Sequence, residues 1–139
     1  MKNFISVILT SYNYETYIKQ TLESLVTQTN QNFEIIVIND GSTDGSLPII
    51  HTFVKKYPHI HLLQHSHGQN RGLIASVQLA LKNCRGNYIA FCESDDYWHP
   101  SHLGKLYSFL AKHPEAKILF NTVYCINLSS HNAYDTFVE

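Results

Sequence analysis

Apolar residues fall into two kinds of stretch along this chain, short and nearly continuous runs and spaced runs, and the two kinds alternate. Phe4 to Leu9 is the first continuous run, short, mostly apolar and β-branched, and suits a central strand covered on both faces. Polar Thr10-Ser11-Tyr12-Asn13 ends it. Tyr17, Ile18, Thr21, Leu22, Leu25 and Val26 then recur at three- and four-residue spacing, which predicts an amphipathic helix broken at Asn30-Gln31-Asn32. Phe33 to Ile38 is the second strand. It is closed by Asn39-Asp40-Gly41-Ser42-Thr43-Asp44-Gly45-Ser46, a tight turn leading into a helix with Pro48 in its first turn and Asp44 and Ser46 as its caps. Ile49, Ile50, Phe53 and Val54 form the buried side of that helix, which ends near Tyr57-Pro58.

Ile60 to Leu63 is a third strand, followed by a polar loop from His65 to Gly72 and a helix from Ile74 to Lys82. After the turn Arg85-Gly86-Asn87, a fourth strand from Tyr88 to Cys92 stops at Glu93, Asp95 and Asp96. Pro100 opens a helix carrying Leu103, Leu106, Phe109 and Leu110, which ends at His113-Pro114. Ile118 to Ile126 is expected to be a fifth strand, and from Ser129 to Glu139 no periodic pattern remains. Strands alternating with helices predict an α/β fold, a mostly parallel sheet with helices on both faces. Right-handed crossovers then bring the loops Thr10–Asn13, Asp40–Ser46 and Glu93–Asp96 to one edge, the carboxyl edge where open α/β sheets bind ligands.

Composition narrows the function. The 139 residues form one domain with 44% hydrophobic and 15% charged residues, a net charge of −1 and a pI near 6.7, which leaves no basic footprint for nucleic acid. Nine histidines are scattered without metal-ligand spacing, so a zinc site is not expected. Cys84, Cys92 and Cys125 are odd in number and loosely spaced, which favours reduced thiols and a cytoplasmic location. No apolar run reaches the roughly 18 residues of a membrane span and no signal-peptide pattern is present, so a soluble chain is expected.

Several chemistries are excluded by motif. The first strand is not followed by Gly-x-Gly-x-x-Gly, no Gly-Lys-Ser/Thr exists, and Gly-x-Ser-x-Gly is absent. The acids after the fourth strand have a plain alternative as a solvated turn capping the next helix. Their convergence with the other two loops favours a nucleotide-diphosphate site that uses no glycine loop. In it Asp40 accepts an N–H from a pyrimidine base and Tyr12 stacks on that base. Glu93 holds ribose hydroxyls, Asp95 a divalent metal carrying the diphosphate, and Arg71 offers a forked donor to base or phosphate. Asp96 is a second metal contact or a cap. Trp98 packs the turn or lines the sugar pocket, and His99 and His102 read first as capping or surface residues.

Ser6-Val7-Ile8-Leu9-Thr10-Ser11-Tyr12-Asn13, Ile38-Asn39-Asp40-Gly41-Ser42-Thr43-Asp44, Asn70-Arg71-Gly72 and Glu93-Ser94-Asp95-Asp96-Tyr97-Trp98 resemble, in order and spacing, the motifs of family 2 glycosyltransferases of GT-A fold. The resemblance runs from about Phe4 to Ile126. It implies that Asp40 pairs with the base, that Tyr12 stacks on it, and that the family's Asp-x-Asp falls on Glu93-Ser94-Asp95 with Asp95 as metal ligand. Thr10, Ser11, Arg71 and Ser94 complete the nucleotide contacts that it implies. Glu93 departs from the usual Asp and reaches one methylene further. The implied activity is inverting transfer of a sugar from a UDP- or dTDP-sugar to a hydroxyl of a glycan or lipid-linked acceptor in polysaccharide synthesis. Mn²⁺ or Mg²⁺ is the implied cofactor, and peripheral membrane association is compatible with it. The catalytic base is expected beyond Glu139, with Asp135 and Glu139 read as solvated tail acids, so this chain is expected to bind donor without transferring it. The alternatives are a non-catalytic nucleotide-sugar-binding module and, more remotely, a GT-A-like nucleotidyltransferase.

Overall fold

The computed structural model describes residues 3–119 and two further strands, Val123–Asn127 and Asn132–Thr136. Strands β1 (Ile5–Ser11), β2 (Phe33–Asn39), β3 (Ile60–Gln64) and β4 (Tyr88–Phe91) form a parallel sheet in the order β3-β2-β1-β4. Helices α1 (Ile18–Val26), α2 (Ser46–Lys56), α3 (Gly72–Leu81) and α4 (His102–Lys112) connect or follow them.

Handedness distributes these helices. The crossovers β1-α1-β2 and β2-α2-β3 step in one direction, whereas β3-α3-β4 steps back past β1. Keeping every crossover right-handed therefore places α3 on the opposite face from α1 and α2. Alternation along the strands matches. Ile5, Val7 and Leu9 with Phe33, Ile35 and Val37 meet Ile18, Leu22, Leu25, Ile50, Phe53 and Leu103 in the larger core. The neighbouring positions Ile8, Ile36 and Ile38 meet Ala80 of α3 in the smaller one.

The α3 face also buries a charge. Glu34 is fully buried, and its Oε1 accepts hydrogen bonds from the Ser6 hydroxyl at 2.6 Å and the Arg85 amide at 2.7 Å. The Arg85 guanidinium reaches Oε2 at 2.7 Å through Nε and 2.6 Å through a terminal nitrogen. Burial pushes the Glu34 carboxyl upward, but the Ser6 hydroxyl and the amide and guanidinium of Arg85 outweigh it and hold the group below the usual glutamate range. An acid inside an apolar strand is tolerated because both oxygens are paired.

Two expectations change. β1 and β2 run on into polar Ser11 and Asn39, because the parallel ladder continues through Thr10↔Ile38 and Ser11↔Asn39. The single strand expected from Ile118 to Ile126 is instead β5 (Val123–Asn127), which pairs antiparallel with β6 (Asn132–Thr136) apart from the main sheet. β6 lies where no element was expected. Its sequence, Asn-Ala-Tyr-Asp-Thr, lacks an apolar run, and its strand character comes from the hairpin pairing. The side chains of Cys125 and Asp135, and all of Glu139, lie outside the described residues.

Glu34 makes stability acid-sensitive in a defined direction. Because its folded value is depressed, its contribution is complete above the unfolded glutamate pKa, about 4.3, and is lost as pH falls through the folded value. Glu34→Gln is expected to flatten the acid limb of urea-unfolding stability and to cost about 1.5–3 kcal/mol at pH 7. Superimposable acid limbs for the two proteins would contradict this.

Candidate functional site

The direction of winding reverses at β1, so the carboxyl ends of β1 and β4 flank a switch point. The loop after β1 is sewn to the loop after β2. Asn13 takes a left-handed conformation (φ 58°), which asparagine tolerates; its amide donates to the Ser42 hydroxyl at 3.0 Å and its Oδ1 accepts the Thr43 amide at 2.8 Å. The Tyr14 amide donates to Ser46 Oγ at 2.9 Å, the Glu15 amide to Asp44 Oδ2 at 3.0 Å, and the Gly45 amide to Glu15 Oε2 at 2.5 Å. Asp44 Oδ1 also accepts the Ser46 amide at 2.9 Å, an Asx-turn bond just ahead of α2; the N-cap itself is Gly45 and has no side-chain cap, so the capping expected of Asp44 and Ser46 is replaced by this turn. Tyr12 is left projecting, about half exposed.

Asp40 joins a third loop. Its amide donates to the Ser11 carbonyl at 2.9 Å, which carries the ladder one step past the strands. The carboxylate is 5% exposed, and its oxygens accept the amides of Arg71 at 2.7 Å and Gly72 at 2.9 Å, the start of α3. His65 Nε2 stands 3.5 Å from Oδ1 and 3.0 Å from Ser76 Oγ. Each carboxylate oxygen retains a lone pair, so the acid that organises this loop still has acceptor capacity toward a ligand. Gly41 makes the approach feasible: it sits at φ 73°, and a Cβ there would lie 2.6–2.8 Å from backbone atoms of Gly68, Gln69 and Asn70.

The acidic turn is fixed from below. The Cys92 amide donates to the Ile8 carbonyl at 3.0 Å, and Ser94 Oγ donates to the Thr10 carbonyl at 2.6 Å. Glu93, Asp95, Asp96 and Tyr97 are exposed at the same edge, as is Arg71. Burial and then the like charge of Asp95 raise the Asp96 carboxyl, and burial followed by the three acids pushes the Cys92 thiol far up, so Cys92 is an inert thiol. Ser11 and Ser94 were expected among the nucleotide contacts; both are almost fully buried, with side chains turned inward. The Ser94 hydroxyl is an anchor, and Ser11 Oγ and its register partner Asn39 Oδ1 have no protein hydrogen-bond partner among the described residues.

No three His, Cys, Asp or Glu side chains among the described residues form a ready cation cage. The crowded carboxylates of Asp95 and Asp96 do fit a hard divalent ion whose remaining ligands are water and phosphate, the usual manner of Mg²⁺. Reading the sequence missed Asn13, Glu15 and His65 as loop ties. For Asn13 the signal was an asparagine straight after a strand; for His65 there was none.

A parallel sheet with this switch point and an acidic turn after β4 defines an open α/β fold with a ligand-binding carboxyl edge. Residues 6–137 match the family profile described as glycosyl transferase family 2, and the chain belongs to that family. It is 36% identical over 130 residues to glycosyltransferase GlyA of Streptococcus pneumoniae, covering 94% of this chain and 18% of that protein. It is 35% identical over 109 residues to the putative teichuronic acid biosynthesis glycosyltransferase TuaG of Bacillus subtilis, covering 78% of this chain and 42% of TuaG. Among solved structures it resembles residues 1–349 of TarS from S. aureus, with TM-score 0.73 and 33% identity over 82% of this chain and 33% of that one. That TarS fragment has been crystallised with UDP and with UDP-GlcNAc. The mannosyltransferase PcManGT of Pyrobaculum calidifontis, in complex with GDP-Man and Mn²⁺, shares the fold at TM-score 0.71 and 22% identity, covering 80% of this chain and 33% of that one. The chain thus spans less than half the length of each of these relatives.

Two of the three left-handed glycines among the described residues, Gly41 and Gly72, separate strain from collision. Gly72 (φ 82°) has open space where a Cβ would be, whereas Gly41 has backbone. Gly72→Ala is expected to cost about 1–2 kcal/mol from conformation alone. Gly41→Ala is expected to cost more and to abolish nucleotide binding by displacing the 68–70 backbone. Thermal melts and nucleotide titrations of both variants check this; equal losses would overturn it.

Proposed function

We propose that this chain binds a nucleoside-diphosphate sugar at the carboxyl edge of β1, β2 and β4, as the donor-binding part of an inverting glycosyltransferase. The observation that carries the reading is the gathering of Tyr12, Asp40 with Arg71, and Glu93-Ser94-Asp95-Asp96 on that one edge. Asp40 accepts the base N–H, Tyr12 stacks on the ring and Arg71 reaches base or phosphate. Glu93 takes ribose hydroxyls, and Thr10 borders the base and ribose. A uridine or thymidine donor suits an acceptor group at Asp40, because both bases present an N–H there. The 33% identity to TarS, which has been crystallised with UDP and UDP-GlcNAc, favours uridine.

Asp95, with Asp96 beside it, would hold Mn²⁺ or Mg²⁺. When bound, such an ion supplies Lewis-acid stabilisation of the departing diphosphate. The chain's own residues orient the donor: Asp40 and Tyr12 fix the base end, and the rigid turn at Ser94 fixes the acids against β1. Acceptor activation needs a general base on the far side of the sugar, worth about 10²–10⁴ in rate, and no described side chain is assigned that role. The acceptor, a glycan or lipid-linked hydroxyl, the cytoplasmic location and a part in polysaccharide synthesis belong to this proposal. No helix among the described residues is long and apolar enough to cross a membrane.

Calorimetry tests the reading. UDP is expected to bind much more tightly with Mn²⁺ than without it, and Asp95→Ala to erase that difference. Asp40→Ala is expected to cost about 1.5–3 kcal/mol of UDP affinity and to blur the preference for uridine over adenosine diphosphate. Equal affinity of the wild type for the two diphosphates would remove Asp40 as a reader of the base.

A further inference from the structure

Helix α1 turns a polar stripe toward the segment that carries the acids. Thr21, Ser24 and Gln28 are spaced three and four residues apart, so they share one side of the helix and its C-terminal extension. All three are buried, beside the apolar stripe of Ile18, Leu22 and Leu25. Thr21 Oγ1 donates to the Ser94 carbonyl at 2.8 Å, and the Trp98 amide donates to Ser24 Oγ at 3.0 Å. Gln28 Nε2 donates to the His99 carbonyl at 2.8 Å, and its Oε1 accepts the Leu103 amide at 2.9 Å. The Ser24 proton goes to the Thr21 carbonyl at 2.7 Å, which leaves a lone pair free for Trp98.

The first two bonds to that segment bracket Asp95, Asp96 and Tyr97, whose side chains are exposed while the backbone on either side is fixed. The other two hold the start of α4. Adjacent carboxylates repel each other, and an unrestrained turn would relax to separate them. Buried polar side chains on an otherwise apolar helix face are costly unless every bond is made. Here each of the three makes at least one bond across to this one segment, beside bonds from Thr21, Ser24 and Gln28 to the Tyr17, Thr21 and Ser24 carbonyls of their own helix.

We propose that Thr21, Ser24 and Gln28 are positioning residues that hold Asp95 and Asp96 in their cation-binding arrangement, so that α1 sets the metal-dependent part of donor affinity. The proposal rests on the metal reading given above. A merely structural stripe would loosen the whole site; a positioning stripe acts on the diphosphate end and spares the base end.

The full chain and its variants Thr21→Val, Ser24→Ala and Gln28→Leu are titrated with uridine and with UDP, each with and without Mn²⁺, once thermal melts show which variants fold. Thr21→Val keeps the shape and removes one hydroxyl. It is expected to bind uridine as the wild type does and to lose about five- to tenfold of the Mn²⁺-dependent gain in UDP affinity. Gln28→Leu leaves the His99 carbonyl and the Leu103 amide unpaired and is expected to lose more. Amide hydrogen exchange reads the positioning directly: Trp98 in Ser24→Ala and Leu103 in Gln28→Leu are expected to exchange faster, with β1 and β2 unchanged. An undiminished Mn²⁺ gain in folded Thr21→Val overturns the proposal, as does an equal loss for uridine and UDP. A wild type whose UDP affinity ignores Mn²⁺ overturns the metal reading and this proposal together, and shows itself before any substitution is made.

Discussion

Both oxygens of one buried carboxylate carry the shape of the binding edge. Asp40 stands one residue beyond β2, where the ladder to β1 makes its last bond, and it draws the amides of Arg71 and Gly72 onto itself. That bond pair ties the entry to α3, on one face of the sheet, to the turn that leads into α2 on the other. Gly41 follows because nothing with a Cβ fits between Asp40 and the incoming backbone. Amide-to-carboxylate bonds are stronger than neutral ones, and a low-dielectric setting strengthens them further. The loop carrying Arg71 is therefore placed by the group assigned to read the base.

Polar burial is distributed by the two ends of the strands. At the amino end, Glu34 and Arg85 close the small α3 core, with Ser6 bonded to the carboxylate and to the Gly86 amide at 2.8 Å. At the carboxyl end, Ser94 and the α1 stripe fix backbone rather than charge, and the charged groups of Glu93, Asp95 and Asp96 stay in solvent. Glu34, closed in by the Arg85 guanidinium, the Arg85 amide and Ser6, has little capacity left for a ligand, whereas the acids of the β4 turn are held through backbone and keep theirs.

Much of this was legible along the chain. Short, mostly apolar runs marked the four parallel strands, and the three- and four-residue spacing marked α1, α2 and α4. The acids stood out because a charge continues a buried strand only when it is paired, as Glu34 is, and three acids with no basic residue beside them mark the end of one. Ser94 reads as one more polar residue among acids, and only its 2.6 Å bond to Thr10 shows that it points down into the sheet. Thr21 was taken into the apolar periodicity of α1, since β-branched threonine fits both sides of a helix. Its polar spacing with Ser24 and Gln28 acquires meaning only once the segment from Ser94 to Leu103 lies against it. The Val123–Asn127 strand was expected to start at Ile118, because pattern alone does not reveal that its partner is a hairpin of polar residues.

The sequence by itself determined the alternation of strands and helices, the polar loops Thr10–Asn13, Asp40–Ser46 and Glu93–Asp96 that follow three of the strands, and the family, because these depend on local composition and on order along the chain. Tertiary structure decided which polar side chains face inward. Ser11, Ser94, Asp40 and Gln28 are chemically ordinary acceptors and donors, and their burial depends on what packs over them from residues tens of positions away. It also decided that the Asp40 oxygens are already engaged by Arg71 and Gly72. Hydrogen bonding at that distance is a property of closed contacts, and a linear pattern records only which groups are able to make them.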